Sequence, residues 1–160
     1  MDPRIEIIDA RTQDQLDEVR ELFNEYAAAF AFDRCFEDFG DELDGLPGEY
    51  APPGGRLLLG HIDDEAAGCV AMRRFDDRSC EMKRLYLRPD HRGTGLGRKL
   101  AATIVETARQ MGYSRMYLDT LAAMEEAQHL YRSLGFEPCE PYSDTITSSD
   151  ACYVLRFAGG

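Results

Sequence analysis

Three glycines at alternate positions, Gly93, Gly95 and Gly97, join two regular segments of this 160-residue chain. The apolar run before them, Leu85 to Leu87, predicts the end of a strand, which the Pro89-Asp90 pair then breaks. After the glycines, apolar residues recur at the spacing of an amphipathic helix: Leu96, Leu100, Ile104, Val105, Ala108 and Met111. A strand that passes through a glycine turn straight into a helix indicates a mixed α/β fold.

The glycine turn suits an anion for two physical reasons. Without side chains in the way, successive N–H groups can point into one concavity, and the helix that begins inside the turn adds its N-terminal dipole. Basic residues also cluster around the turn, although the chain carries a net charge of −12: Arg84, Arg88, His91, Arg92, Arg98 and Lys99. We therefore predict that a polyphosphate binds here, and a glycine turn without a ligand is the alternative.

Two familiar phosphate motifs do not match this turn. A Walker A loop ends in Gly-Lys-Ser/Thr, whereas Gly97 is followed by Arg98-Lys99-Leu100. The dinucleotide fingerprint G-x-G-x-x-G would need a glycine at Arg98, and the candidate acid, Asp119, lies rather far downstream. The sequence therefore argues against a P-loop nucleotide hydrolase and against a Rossmann dehydrogenase.

The strand before the turn changes its apolar face. Cys80 and Met82 share one face at period two, whereas Leu85 and Leu87 share the opposite face. A β-bulge near Arg84 would explain the change, and bulges often re-aim a strand toward a site. The alternative is a strand buried on both faces, in which the apolar pattern carries little information.

The sequence after the turn carries a second motif. The segment Arg92 to Gly97 fits R/Q-x-x-G-x-G/A, and a later segment fits A-x-x-x-Y-x-x-x-G-F through Ala127, Tyr131, Gly135 and Phe136. The two motifs, in this order, resemble those of the GNAT superfamily of N-acetyltransferases. The resemblance extends over nearly the whole chain and is strongest from Cys80 to Phe136.

The resemblance implies a single GNAT-like domain over residues 1–160, an α/β (α+β) fold with a twisted mixed sheet flanked by helices. It implies direct transfer of an acetyl group from acetyl-CoA to a primary amine of a small molecule or peptide, in a ternary complex. The positions that match the cofactor site are Leu85, Tyr86, Leu87, Arg92, Gly93, Thr94, Gly95, Leu96, Gly97, Arg98 and Ala127. Met124 stands where the family often has an asparagine, so a side-chain amide contact to the pantetheine arm is not predicted.

Acetyl transfer needs a base for the ammonium of the acceptor and an acid for the departing thiolate. Glu81, just before the predicted bulge, is our candidate base, and the alternative is a strand residue that faces solvent or pairs with Arg73 or Lys83. Tyr131 is the candidate acid, because a phenol can donate its proton at neutral pH. The alternative role for Tyr131 is packing in the core, beside Ala127 and other apolar residues on the same face of the helix.

The acceptor site is predicted between about Phe32 and Pro53, because the region after the first helix usually shapes it in GNAT proteins. Glu42 and Tyr50 are the candidate substrate residues in this region, where several acidic side chains would attract an amine. A solvated helix face is the alternative. No metal is predicted, because His61, His91 and His129 lack partners at ligand spacing.

Composition limits the remaining classes of function. A net charge of −12 without a long basic run argues against nucleic acid as a partner. No apolar run approaches the roughly 20 residues that span a bilayer, and the first residues lack the apolar core of a signal peptide, so we expect a cytoplasmic protein. The five cysteines are dispersed without a C-x-x-C pair, which predicts reduced thiols. A homodimer through an edge strand near the C-terminus is also considered.

The other predicted elements alternate along the chain. A Thr12/Gln15 capping box predicts the start of the first helix. The remaining predictions are strands near 5–8, 57–59, 67–72, 116–118 and 152–157, a less regular helix over 34–43, and a helix that carries Tyr131. Two other classes stay open: an acyl-CoA sensor without catalysis, or a transferase with another acyl donor or acceptor. A purely structural domain is a third.

Overall fold

The computed structural model describes residues 4–29, 39–121, 125–143 and 150–157. It contains seven strands and four α-helices in these ranges. The strands are β1 (Ile5–Asp9), β2 (Arg56–Ile62), β3 (Glu65–Arg74), β4 (Ser79–Leu87), β5 (Arg115–Leu121), β6 (Glu137–Pro138) and β7 (Asp150–Arg156). The helices are α1 (Gln13–Ala29), α2 (Phe39–Asp44), α3 (Leu96–Gln110) and α4 (Glu125–Ser133).

All seven strands belong to one mixed sheet, in the order β1-β2-β3-β4-β5-β7-β6. Only the central pair, β4 and β5, is parallel, because α3 crosses over between them. β2 and β3 form a hairpin whose two turn residues, Asp63 and Asp64, have φ of 50° and 70°. Positive φ at both positions is the geometry that matches the twist of a two-residue hairpin. The predicted mixed α/β fold is confirmed.

Two apolar clusters cover the two faces of the sheet. The first lies under α3 and α4 and includes Leu100, Met82 and Met116. The second lies under α1 and includes Phe23 and Leu59. Because side chains alternate along a strand, residues next to those of the first cluster point to the other side. We call the two sides the α3 face and the α1 face.

A β-bulge interrupts β4, as predicted. Cys69 on β3 pairs with Tyr86, and Ala71 pairs with Lys83, so two steps along β3 face three steps along β4. Arg84 has φ of 59°, the left-handed region, which non-glycine residues adopt at a cost of about 1 to 3 kcal/mol. The extra residue explains why the apolar pattern of the strand changes sides.

The parallel strands separate beyond the bulge. The ladder between β4 and β5 ends at Glu81 and Tyr117, although β4 continues to Leu87 and β5 to Leu121. We call the space beyond this last pair the opening between β4 and β5. It is a gap in the middle of the sheet, so groups from the α3 face and the α1 face can approach each other there.

Most predicted elements are confirmed, with small differences at their ends. In the capping box, the Gln15 amide donates to Thr12 Oγ1 at 3.2 Å, and the Thr12 amide donates to the Gln15 side chain at 3.0 Å. The helix predicted over 34–43 corresponds to α2 at Phe39–Asp44, and positions 34–38 lie outside the described residues. The short strand β6 was not predicted. Among the described helices, none has the length and apolar character needed to cross a membrane.

Candidate functional site

The glycine turn leads directly into α3 with a strained backbone that only glycine adopts easily. Gly93 and Gly95 have φ of 81° and 90°, and Gly95 is the N-cap of α3. Thr94 fixes the turn, since its hydroxyl donates to the His91 carbonyl at 2.7 Å. The turn therefore presents backbone N–H groups at the positive end of a 15-residue helix.

Gly97 also packs closely against β4. A Cβ at this position would lie 2.9 Å from Cδ1 of Leu87, so a larger residue would require the Leu87 side chain to move. The turn and the end of β4 consequently form one wall. The sequence predicts Gly97 for the access that it gives a phosphate. Its packing against Leu87 is a second constraint on this position.

A groove of about 580 Å³ runs along this wall. Seven of its lining residues are among the predicted cofactor positions: Leu85, Tyr86, Leu87, Arg92, Gly93, Gly97 and Ala127. Its other lining residues are Tyr26, Glu125, Glu126 and Leu130. The groove therefore joins the end of β4, the glycine turn and the start of α4, which are separated by up to about 40 residues in sequence.

Four of the predicted cofactor residues are not among the lining residues of this groove. Leu96, the first residue of α3, is fully buried, and Arg98 donates to the Ser133 hydroxyl at 2.6 Å. Thr94 and Gly95 shape the turn, as described above. Their roles are therefore in the geometry of the turn, and a direct contact to a ligand stays a prediction.

Tyr131 lies on α4 and is buried on the α3 face. Its ring makes an edge contact with Phe136, with centroids 5.9 Å apart, and a tilted contact with Tyr153. Burial raises the pKa of its hydroxyl, and the negative charge of Asp119 raises it further. The phenol therefore stays protonated at neutral pH. The predicted alternative, core packing, is present, and the role of Tyr131 as an acid stays a prediction.

Glu81 points to the α1 face and is almost completely buried. Arg73 donates to its Oε1 from Nε at 3.0 Å and from a terminal nitrogen at 2.9 Å, and Tyr142 donates to its Oε2 at 2.7 Å. Lys83 lies 4.0 Å from Oε2. The ion pair with Arg73, one of the alternatives to a base role, is present. Its role as a base stays a prediction.

Glu42 and Tyr50, the candidate substrate residues, lie together beside the bulge. Glu42 accepts two hydrogen bonds from Arg84, at 2.9 and 3.0 Å, and one from the Tyr50 hydroxyl at 3.0 Å. Burial of Tyr50 raises its pKa, and the adjacent Glu42 carboxylate contributes to the rise. The strained residue of β4 is therefore held by an ion pair from α2.

Sequence reasoning missed three side chains at the opening between β4 and β5. Asp119 was considered only as a ribose ligand, Lys83 only as a partner of Glu81, and Tyr142 was not considered. Tyr142 Oη lies 3.3 Å from Asp119 Oδ1, and Lys83 Nζ lies 3.8 Å from the same oxygen. Asp119 and Lys83 could have been found from strand alternation, since each falls on the same face as Glu81. No local motif marks Tyr142.

The arrangement defines a class of protein in which a glycine turn at a helix N-terminus lines a groove, and buried ionisable side chains lie beside a split in the sheet. The acetyltransferase (GNAT) family matches residues 16–136 of the chain. An uncharacterized N-acetyltransferase of Schizosaccharomyces pombe is 40% identical over 140 residues, which cover 86% of each chain. The chain therefore belongs to the GNAT family of N-acetyltransferases.

Solved structures have the same fold. An acetyltransferase from Streptococcus agalactiae superposes with a TM-score of 0.79 at 22% identity, covering 96% of this chain and 98% of that one. The PaiA N-acetyltransferase from Thermoplasma acidophilum, solved in complex with coenzyme A, superposes with a TM-score of 0.76 at 18% identity. It covers 96% of this chain and 99% of that one. These similarities support the fold of the chain.

Proposed function

We propose that this chain binds acetyl-CoA in the groove and transfers the acetyl group to the primary amine of a small molecule or peptide. One observation carries the proposal: the glycine turn, the end of β4 and the start of α4 line a single groove next to the opening between β4 and β5. The 580 Å³ groove is of a size typical for small-molecule sites.

The residues of the groove fit a nucleotide thioester. Backbone N–H groups at Gly93 to Gly97 and the guanidinium of Arg92 would hold the pyrophosphate. The apolar side chains Leu85, Leu87 and Leu130 would contact the pantetheine arm, and Ala127 leaves room for it. Within the groove only Glu125 and Glu126 carry negative charge among the described lining residues. Both glutamates lie where the first turn of α4 lines the groove.

The chemistry forms a bond between the amine nitrogen and the acetyl carbon and breaks the bond between that carbon and sulfur. The amine must first lose a proton, because an ammonium has no free electron pair. Glu81 is proposed as the acceptor of that proton on the α1 face. Tyr131 is proposed as the donor of a proton to the departing thiolate, which suits a phenol kept protonated by burial. The second proton of the amine, released as the amide forms, returns to the Tyr131 oxygen, so the phenol is restored.

The acceptor is proposed to approach from the α1 face, past Glu42 and Tyr50. These two residues and Arg84 form a buried polar wall beside the opening. Their mutual hydrogen bonds give the wall a fixed shape, which is the property that a specificity pocket needs. Part of the predicted acceptor region, positions 32–38, lies outside the described residues.

The test is release of CoA from acetyl-CoA with a panel of L-amino acids, polyamines, aminoglycosides and dipeptides. We expect turnover with at least one class of amine, and about a hundredfold lower kcat in Tyr131→Phe. Calorimetric titration with acetyl-CoA should give the same affinity for both proteins. Failure of the wild type to bind acetyl-CoA would contradict the proposal.

A sensor without catalysis gives a different result in the same experiment. It would bind acetyl-CoA, and Tyr131→Phe would change neither binding nor any downstream response. Tyr131 and the buried acid–base groups around Asp119 favour catalysis, because a binding module has no need of them.

The setting of the enzyme is also a proposal. The net charge of −12 supports a small cationic partner over nucleic acid. The described cysteines are all free thiols, which is typical of a cytoplasmic protein. A homodimer would use the edge formed by β6, which ends the sheet on the C-terminal side. Sedimentation of the purified protein would test the dimer.

A further inference from the structure

We infer that Asp119 takes the proton of the acceptor amine and that the Tyr142 hydroxyl passes it to Glu81. Tyr142 is thus a relay that joins two carboxylates on neighbouring strands. The inference rests on the proposed function, and it identifies two further residues that act in the same reaction.

Glu81 by itself is poorly placed to meet an amine. Its side chain is only 5% exposed, and both of its oxygens are already engaged. Arg73 occupies Oε1 with two nitrogens, and the Tyr142 hydroxyl occupies Oε2 at 2.7 Å. A proton that reaches Oε2 along this direction must therefore come through Tyr142.

Tyr142 has the geometry of a relay. Its oxygen lies 2.7 Å from Glu81 Oε2 and 3.3 Å from Asp119 Oδ1, and a hydroxyl can donate one hydrogen bond while it accepts another. Burial raises the pKa of the phenol, as do the charges of Glu81 and Asp119 and, less strongly, nearby Cys152. The hydroxyl consequently keeps a proton at rest and can exchange it only by concerted transfer.

Asp119 is the second carboxylate at the opening between β4 and β5. It lies on β5 beyond the last pair of the β4–β5 ladder, and its side chain is 13% exposed. Its charge raises the pKa of Tyr131, the proposed acid on the α3 face, so the field of Asp119 extends across the opening. Lys83 Nζ lies 3.8 Å from Asp119 Oδ1.

The proton moves from the amine to Glu81 in two steps. An N–H bond of the ammonium breaks and its proton moves to Asp119, which leaves a neutral amine with a free electron pair. The proton then moves from Asp119 to the Tyr142 oxygen while the Tyr142 proton moves to Glu81 Oε2. Asp119 ends as a carboxylate, Tyr142 as a phenol and Glu81 as a carboxylic acid.

The ring contacts of Tyr142 allow its hydroxyl to be removed without loss of packing. It stacks on Tyr117 with centroids 4.6 Å apart, and Phe75 makes an edge contact with it at 5.4 Å. Tyr142→Phe would keep these ring contacts and remove only the hydroxyl. Tyr117→Phe is the matched control, because it removes a hydroxyl from the neighbouring ring, which has no hydrogen bond to a described carboxylate.

The experiment is a double-mutant cycle in the full-length chain with Tyr142→Phe, Asp119→Asn and the combination. The reaction contains acetyl-CoA and the panel amine with the highest wild-type turnover. At pH 7 we expect each single variant to lose about tenfold or more in kcat/KM for the amine. The double variant should lose no more than the worse single variant, because the two residues act in series. Tyr117→Phe should stay within about twofold of wild type.

The pH dependence separates a relay from a structural role. An alkyl ammonium with a pKa near about 10.4 loses its proton to water as the pH rises, so the need for a base disappears. The deficit of Tyr142→Phe should therefore shrink steadily between about pH 7 and 10. A structural defect would give a constant deficit, and it would lower the midpoint of thermal unfolding or the affinity for acetyl-CoA.

Three results would overturn the inference while the transferase remains: wild-type rates in Tyr142→Phe, a deficit that is constant with pH, or losses that multiply in the double variant. If Tyr142→Phe fails to fold, Asp119→Asn decides by the same pH criterion. A wild-type protein that binds acetyl-CoA and acetylates none of the amines overturns the proposed function, and the inference with it.

Discussion

The two sides of the sheet hold their polar groups in opposite ways. On the groove side, the glycine turn offers backbone N–H groups, and its geometry comes from a few adjacent residues with positive φ, Gly93 and Gly95. On the α1 face, the polar groups are side chains from separate strands and loops, such as the carboxylates of Glu81 and Asp119 and the hydroxyl of Tyr142. Binding by backbone N–H groups is lost when a side chain projects into the site. Binding by side chains is lost when any one of the partners is removed.

This difference predicts which property a substitution changes on each side of the sheet. A substitution in the turn should remove binding of the nucleotide while the rest of the fold stays intact. A substitution in the buried network should alter catalysis or stability, because it leaves a charged partner unpaired in a poorly solvated place. The four predictions below test this division, in order of expected effect.

Gly95→Glu should have the largest effect. The new carboxylate would stand at the anion site, where repulsion of about 4 kcal/mol at an effective dielectric constant near 20 corresponds to roughly a thousandfold weaker acetyl-CoA binding. Calorimetric titration measures the affinity. Gly112→Glu is the matched control, since Gly112 has a similar φ of 93° and open space around its Cβ position, but it follows the other end of α3. Equal losses in both variants would mean that strain, not charge, causes the effect.

Tyr131→Phe should lower kcat about a hundredfold and leave the KM for acetyl-CoA unchanged. The raised pKa of the wild-type phenol also fixes the sign of its pH dependence. Because the hydroxyl stays protonated above the ordinary tyrosine pKa of about 10, ionisation of Tyr131 should cause no loss of rate between about pH 7 and 9. Steady-state rates across this range measure it. An intact kcat in the variant would exclude Tyr131 as the acid.

Glu42→Gln should act on the α1 face alone. It removes the charge that pairs with Arg84 at the bulge, and we expect a loss of about 2 kcal/mol in the free energy of unfolding. It should also raise the KM for the amine several-fold, at unchanged affinity for acetyl-CoA. Urea unfolding and steady-state kinetics measure the two effects. A weaker affinity for acetyl-CoA would show that the two sides are not independent.

Arg98→Ala should have the smallest effect. Arg98 is exposed and bonded to Ser133, so its contribution to phosphate binding is a screened surface interaction. We expect about threefold weaker acetyl-CoA binding at low salt, and a difference that vanishes near about 1 M salt. Titration at the two ionic strengths measures it. A difference that persists at high salt would indicate a direct, buried contact.

The same division explains what the sequence could predict. The glycine turn, the α3 helix and the bulge in β4 are local, since each depends on residues within about one element of one another. The change of apolar face between Met82 and Leu85 located the bulge, and Arg84 indeed has positive φ there. Helical spacing and the capping box likewise located α3 and the start of α1.

The buried network could not be predicted in the same way, because its members meet only in the folded chain. Tyr142 is 61 residues from Glu81 and 23 from Asp119, and it lies in a segment without regular structure. Glu42 is 42 residues from Arg84. Of the α1 face, the sequence indicated Glu81 and Glu42, but neither Asp119 as a member of this site nor the Tyr142 hydroxyl that connects Asp119 to Glu81.

A crystal structure of the wild-type chain with acetyl-CoA tests the central claim most directly. The account predicts pyrophosphate on the N–H groups of the glycine turn and the thioester sulfur within about 3.5 Å of Tyr131 Oη. It also predicts that the acetyl group faces Asp119 through the opening between β4 and β5. Acetyl-CoA bound away from the glycine turn, or a sulfur remote from Tyr131, would contradict the account.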